Sequence, residues 1–165
     1  MRWAAVDYGR KRIGLALCDV GERIASPAGT LAGRGCPAAD ADQIIEWAGA
    51  NEVHGIVVGL PINMDGSIGP QAKLSQALAD ELRRRGPLPV ELWDERLSSY
   101  QADVLMSETG WSRRRRARRR DALAAQVILQ AFLDARRTRP PDDPEPPPGA
   151  EQSPGADQPP PETDR

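Results

Sequence analysis

Apolar and polar positions assign elements to most of the first 139 residues. Residues 2–8, "RWAAVDY", and 12–19, "RIGLALCD", read as two strands joined by a tight turn. Gly9 suits that turn because glycine tolerates positive φ. Residues 24–31 predict a third, weaker strand, and Pro27 pushes it to a sheet edge. "DADQIIEWAGA", 40–50, has helical spacing, with Ile44, Ile45 and Ala48 on one side and Asp40 as cap. "HGIVVGL", 54–60, is a β-branched run suited to a strand buried on both faces. "PINMDGSIGP", 61–70, is turn-forming. Residues 71–85 read as a helix that closes on Arg83, Arg84 and Arg85 before Gly86. A strand follows at 89–93. Ser98 and Gln101 have capping-box spacing for a helix to about Ser107, and a last helix runs from Asp121 to about Arg136. Meandering strands followed by alternation predict a mixed sheet flanked by helices in an α/β domain. A helical crossover makes 54–60 and 89–93 parallel.

Composition splits the 165-residue chain. Residues 140–165 hold ten prolines and seven acids against one arginine, with no valine, leucine, isoleucine or aromatic residue. Such a segment lacks the apolar surface to offset ordering entropy and reads as a disordered tail. The whole chain has 22 basic and 24 acidic residues; residues 1–139 alone keep 21 and 17, a formal +4. A basic body favours polyanionic partners. The absence of an apolar span of about 20 residues, and the presence of only two cysteines, Cys18 and Cys36, predict a reducing, cytoplasmic, membrane-free setting. Neither cysteine has metal-site spacing with His54, the only histidine, which disfavours a His/Cys metal site or a Ser–His hydrolase and leaves His54 at a strand edge.

Acids stand at the ends of three apolar elements. Asp7 is either a turn residue, one half of a salt bridge with Lys11 or Arg12, or a ligand. Asp94 and Glu95 end a strand at the carboxyl edge of the sheet, where α/β proteins bind ligands, unless they are solvated acids partnered by Arg96. On a helical projection Gln126, Gln130 and Asp134 form the polar face, and Asp121 lies about 180° away, on the stripe of Ala124, Ala125, Ile128 and Phe132. Asp121 is a buried-face acid or a helix N-cap. Acids converging from distant segments match the oxygen-rich coordination that Mg²⁺ and Mn²⁺ prefer. Two such ions about 4 Å apart stabilise attacking and leaving oxygens in phosphodiester hydrolysis. Ahead of Asp121, "SRRRRARRR", 112–120, supplies seven arginines: Arg113, Arg114, Arg115, Arg116, Arg118, Arg119 and Arg120. They are either a solvated basic loop or a phosphate-gripping surface, for which guanidinium forks are suited. Trp111 beside them either packs on the body or stacks on a base.

"VDYGRKRIGLALCD", "VVGLPINMDGS", "WDERLSS" and "DALAAQVIL", in this order, closely resemble the YqgF family of Holliday-junction-resolvase-like proteins, also described as pre-16S ribosomal RNA nucleases. The resemblance spans residues 2–135 and implies a ribonuclease H-like fold, a five-stranded mixed sheet flanked by helices, over a nuclease domain of residues 1–139. It implies a metal-dependent site in which Asp7, Glu95 and Asp121 are the catalytic, Mg²⁺- or Mn²⁺-holding acids, with Asp94 an alternative to Glu95. Lys11 and Arg12 match the family's basic pair. They join Asn63, Arg96 and the arginine run as substrate-binding residues.

Two functions follow. One is hydrolysis of phosphodiester bonds in structured nucleic acid, either precursor 16S rRNA or a branched DNA junction. The other is a noncatalytic factor that binds RNA or ribosomal precursor particles on the same fold. Symmetric cutting of a junction favours a homodimer, and trimming of an RNA end a monomer.

Overall fold

The computed structural model describes residues 1–97 and 112–138. Strands β1 (Trp3–Tyr8), β2 (Arg12–Cys18), β3 (Ala25–Ala32), β4 (Gly55–Leu60) and β5 (Val90–Asp94) form one sheet in the order β3-β2-β1-β4-β5. The β1–β2 and β2–β3 pairs are antiparallel, and β1–β4 and β4–β5 are parallel. Helices α1 (Pro37–Ala50) and α2 (Pro70–Arg85) cover one face, and α3 (Arg113–Thr138) covers the other. This is the expected five-stranded mixed sheet. The helix expected from Ser98, Trp111 and the acidic tail lie outside the described residues.

Strand alternation explains the two cores. In β1, Ala4, Val6 and Tyr8 face α1 and α2, packing with Ile44, Leu78 and Leu82. Trp3 and Ala5 face α3, packing with Ala125, Ile128, Leu129 and Phe132. Asp7 is the next member of this second series, a carboxylate where the pattern would place an apolar residue. β4, buried at all six positions, is sandwiched as its unbroken apolar run predicts. β3 is an edge strand, as Pro27 requires; its Ala25 is gripped by Gln126 and Gln130 of α3, whose amides bond the Ala25 carbonyl and N–H at 2.9 Å each. His54 lies just before β4, where its Nδ1 accepts from the Arg2 backbone N–H at 3.1 Å.

Helix α2 closes on Arg83, Arg84 and Arg85 with Gly86 after it, as expected, Gly86 being in extended conformation (φ −114°, ψ 160°). Three expectations need correction. Gly9 does not adopt positive φ; it is required because a Cβ there would stand 2.5 Å from the Arg12 carbonyl oxygen. Helix α1 opens a turn early, at Pro37, whose fixed φ and missing N–H suit a first helical position. Asp40 is therefore not its cap. It is fully buried, accepting from the Tyr8 hydroxyl (2.7 Å), the Arg34 N–H (2.8 Å) and Gln43 Nε2 (3.2 Å). Lastly, α3 begins at Arg113, so the arginines are helix and not loop, and Asp121 lies within the helix and not at its cap. Arginine is a good helix former, and the Ser112 hydroxyl accepts the Arg115 N–H at the helix start (3.4 Å).

Asp40 ties the end of β1 to α1. Asp40→Ala would strand the buried Tyr8 hydroxyl and remove the acceptor of two part-buried donors, so it is expected to lower stability by about 2–3 kcal/mol. The urea midpoint would show this, and Asp40→Asn, which keeps an acceptor, should fall less.

Candidate active site

Asp7 sits near the carboxyl end of the central strand with glycine on both sides. Gly14 on β2 is its antiparallel partner. Gly59 on β4 lies one residue beyond the Val6–Val58 pair, level with Asp7. Both glycines are occupied from above. A Cβ at Gly14 would overlap the Asp121 carbonyl oxygen, and one at Gly59 would overlap Glu95 Oε1 and stand 2.6 Å from Ile128 Cδ1. Elements from three parts of the chain thus close over a floor without side chains, and each brings an acid.

The electrostatics show that these acids feel one another. Burial, and then the charge of Asp121, pushes the Asp7 carboxyl up to about 6. Burial, then Asp7, then Asp94, pushes Glu95 up to about 7. Asp7 is the shared neighbour of the other two. Carboxylates desolvated together disfavour their own ionisation, and an added positive charge relieves that cost.

Asp94 behaves differently. Its carboxylate accepts from the Arg96 backbone N–H (3.0 Å) and from the Arg96 guanidinium (2.7 Å at the closest), which hold it below the usual carboxylate range. β5 ends at Asp94, and Glu95 opens a short 3₁₀ turn that carries its side chain back over Gly59. Of the two neighbours, Glu95 joins Asp7 and Asp94 serves Arg96.

Asp121 projects from the middle of α3, and its Oδ2 accepts from Arg12 Nε at 2.7 Å. The salt bridge open to Asp7 from its sequence is absent, because Arg12 turns to Asp121. Lys11 is exposed beside Arg12. Arg113, Arg114, Arg115, Arg118, Arg119 and Arg120 are exposed on the first turns of α3, leading directly to Asp121; the side chain of Arg116 is outside the described residues. Asn63 braces its own loop, its backbone N–H donating to the Ser67 carbonyl (3.0 Å) and Nδ2 to Ser67 Oγ (2.9 Å). That loop reaches the same edge, with Gly66 close to the Arg96 guanidinium.

Among the described residues, no three His, Cys, Asp or Glu side chains already stand as a closed ion cage. Asp121 is turned to Arg12, while its own backbone carbonyl lies over Gly14, the register partner of Asp7. The donors fit a hard divalent cation: three carboxylates, no sulfur or imidazole, over a glycine floor. Gly14 and Gly59 had no assigned role in the sequence reading. The available signal was glycine inside a strand, which marks close approach of another chain segment or a ligand.

The family profile described as "RuvX: Holliday junction resolvase" matches residues 1–135. The chain belongs to the RuvX family. Among relatives of this RuvX-family chain, a protein of Anaeromyxobacter sp. (strain Fw109-5) described as "Putative pre-16S rRNA nuclease" is 47% identical over 139 residues, covering 82% of this chain and 98% of its own length. A protein of Rhizobium johnstonii (strain DSM 114642 / LMG 32736 / 3841) with the same description is 42% identical over 131 residues, covering 79% of each. The solved structure "T. thermophilus RuvC in complex with Holliday junction substrate" superposes with a TM-score of 0.51 at 14% identity, over 84% of this chain and 96% of that one. At that identity the likeness shows the fold, which is RuvC-like and ribonuclease H-like. The RuvX match ends before the acidic tail. No helix among the described residues is long and apolar enough to cross a membrane.

Proposed function

We propose that this chain is a divalent-metal-dependent nuclease that hydrolyses phosphodiester bonds in structured nucleic acid, either precursor 16S rRNA or a four-way DNA junction. The observation that carries the reading is Asp7, held between two glycines on the central strand and coupled to both Glu95 and Asp121. In this reading Asp7, Glu95 and Asp121 hold Mg²⁺ or Mn²⁺, which supplies charge neutralisation for the acids and stabilises the attacking and leaving oxygens. Arg12, Lys11 and the arginines of α3 grip the flanking phosphates, and Arg96 and the Asn63 loop border the same edge. Family membership and relatives described as nucleases support the reaction class.

The test is side-by-side incubation of a precursor-rRNA fragment and a four-way junction with Mg²⁺, Mn²⁺ or chelator. Cleavage of at least one substrate with a cation, and none with chelator, is expected. Salt-sensitive binding with no product under any condition would replace this reading with the noncatalytic binding factor. Cytoplasmic location and association with ribosomal precursor particles belong to the rRNA branch of the proposal. Symmetric junction cutting favours a homodimer, which sedimentation with the junction bound would reveal.

A further inference from the structure

We propose that Arg12 is an internal counter-ion for Asp121 that a divalent cation displaces, so that one guanidinium couples cation loading to phosphate binding. The inference deepens the nuclease reading and rests on Asp7, Glu95 and Asp121 being the cation-holding set.

The Arg12–Asp121 ion pair joins the first residue of β2 to the middle of α3 across 109 positions of sequence. Both backbones are fixed. The Arg12 carbonyl accepts the Gly9 N–H at 3.0 Å, and Arg12 pairs in register with Ala32. The Asp121 carbonyl rests on Gly14, where no Cβ intervenes. The exchange is therefore placed in the side chains, between backbones that are each anchored. Asp121 faces two sources of interaction. Arg12 attracts it at 2.7 Å, and Asp7 lies close enough to repel it. In the structure Asp121 is paired with Arg12, and among the described residues the three acids do not stand as one closed set. A divalent cation at Asp7 turns the repulsion into attraction, and Asp121 gains a stronger partner than an ion pair that is partly open to solvent.

The exchange leaves the Arg12 guanidinium without the Asp121 carboxylate. Its side chain is 43% exposed, beside Lys11 and at the corner where the arginines of α3 meet Asp121. A planar fork released there is suited to a phosphate of the bound strand. Because the same arginine blocks the cation site and is missing from the phosphate site, filling either site favours the other. Linkage makes the two enhancements equal.

The experiment measures Mn²⁺ binding to the full chain by free-Mn²⁺ spin resonance at pH 8 and fixed ionic strength. Each titration is run with and without a hairpin RNA or junction carrying non-hydrolysable linkages. The chains are wild type, Arg12→Gln, Arg12→Lys and, as a charge-matched control, Arg85→Gln. Arg85 pairs with Asp42 and Glu81, away from the site. Wild type should bind Mn²⁺ more tightly when nucleic acid is present, and nucleic acid more tightly by the same factor when Mn²⁺ is present. Arg12→Gln should bind Mn²⁺ roughly threefold to tenfold more tightly in the absence of nucleic acid and lose most of the mutual enhancement. Arg12→Lys should retain part of the enhancement, and Arg85→Gln should match wild type. An Arg12 that merely holds Asp121 in place predicts weaker Mn²⁺ binding on substitution. That result, or an unchanged enhancement, overturns the inference while leaving the nuclease reading intact. Wild-type protein that binds no Mn²⁺ overturns both.

Discussion

An Asp7→Asn variant is expected to lose cleavage by at least about a thousandfold, some 4 kcal/mol of barrier, while binding nucleic acid nearly as wild type does. The split follows from position. Asp7 is the only one of the three acids coupled to both others, so neutralising it removes the common point of any ion held between Glu95 and Asp121. Among the described residues it makes no hydrogen bond or ion pair with the arginines expected to hold phosphate. Those project from β2's start and from α3, and screened, salt-dependent contacts of that kind set affinity. Single-turnover cleavage with Mn²⁺, together with a binding titration, separates the two effects. Cleavage at the wild-type rate would remove Asp7 from the chemistry.

The same variant should be more stable than wild type when cations are chelated. Folding raises the Asp7 carboxyl to about 6 and Glu95 to about 7, mainly by burial. A group raised in this way stabilises the fold fully below its unfolded value and loses that contribution as pH rises through the folded one. Metal-free wild type is therefore expected to gain stability as pH falls from about 8 to about 4.5. Asp94, Asp65 and Glu81, all held below their usual range, oppose this only at lower pH. Subtracting the Asp7→Asn curve isolates the site, with the variant ahead by about 2 kcal/mol at pH 8 and the gap closed near pH 4. Saturating Mn²⁺ should reverse the order at pH 8 by stabilising wild type alone. Melting curves across that range, with and without cation, provide the check.

How much of this was legible in one dimension depends on how local each cause is. β4 was readable because six consecutive positions are buried, which writes an unbroken apolar run. Asp7 was readable because it breaks the alternation of β1 at its end. The start of α3 was not, since seven arginines look like a charge run and helix propensity hides beneath the charge. Asp40 satisfies the preference for a cap, and only its distant partner Tyr8 reveals it as a buried acceptor. The Arg12–Asp121 pair spans 109 positions, and Lys11 or Arg12 to Asp7 was the nearer guess. Glu95 and Asp94 are adjacent in sequence and inseparable by strand alternation alone. What separates them is the turn after β5, which folds Glu95 over Gly59.

The structural counterpart of Asp7 is the glycine opposite it, and Gly14→Ala is expected to damage both stability and cleavage severely. A methyl there meets backbone, namely the carbonyl of Asp121, which cannot rotate aside as a side chain would. Either β2 bends away from β1, disturbing the Asp7–Gly14 pair, or α3 lifts off the sheet. Lifting α3 unpacks Ala125, Ile128, Leu129 and Phe132 from Trp3, Ala5 and Val57. Overpacking that moves backbone stands at the upper end of its usual cost, about 3 kcal/mol or more. It also carries Asp121 away from Asp7, so cleavage should fall even in the fraction that remains folded. Gly49→Ala serves as the reference. Gly49 lies in α1 with open space around its Cβ position and no positive φ, so alanine there should be neutral or up to about 1 kcal/mol stabilising. Denaturant midpoints, combined with cleavage measured well below the variant's melting temperature, separate lost folding from a displaced acid. If Gly14→Ala melts and cleaves as wild type does, Asp121 is not seated on β2, and the glycine floor has no part in gathering the acids.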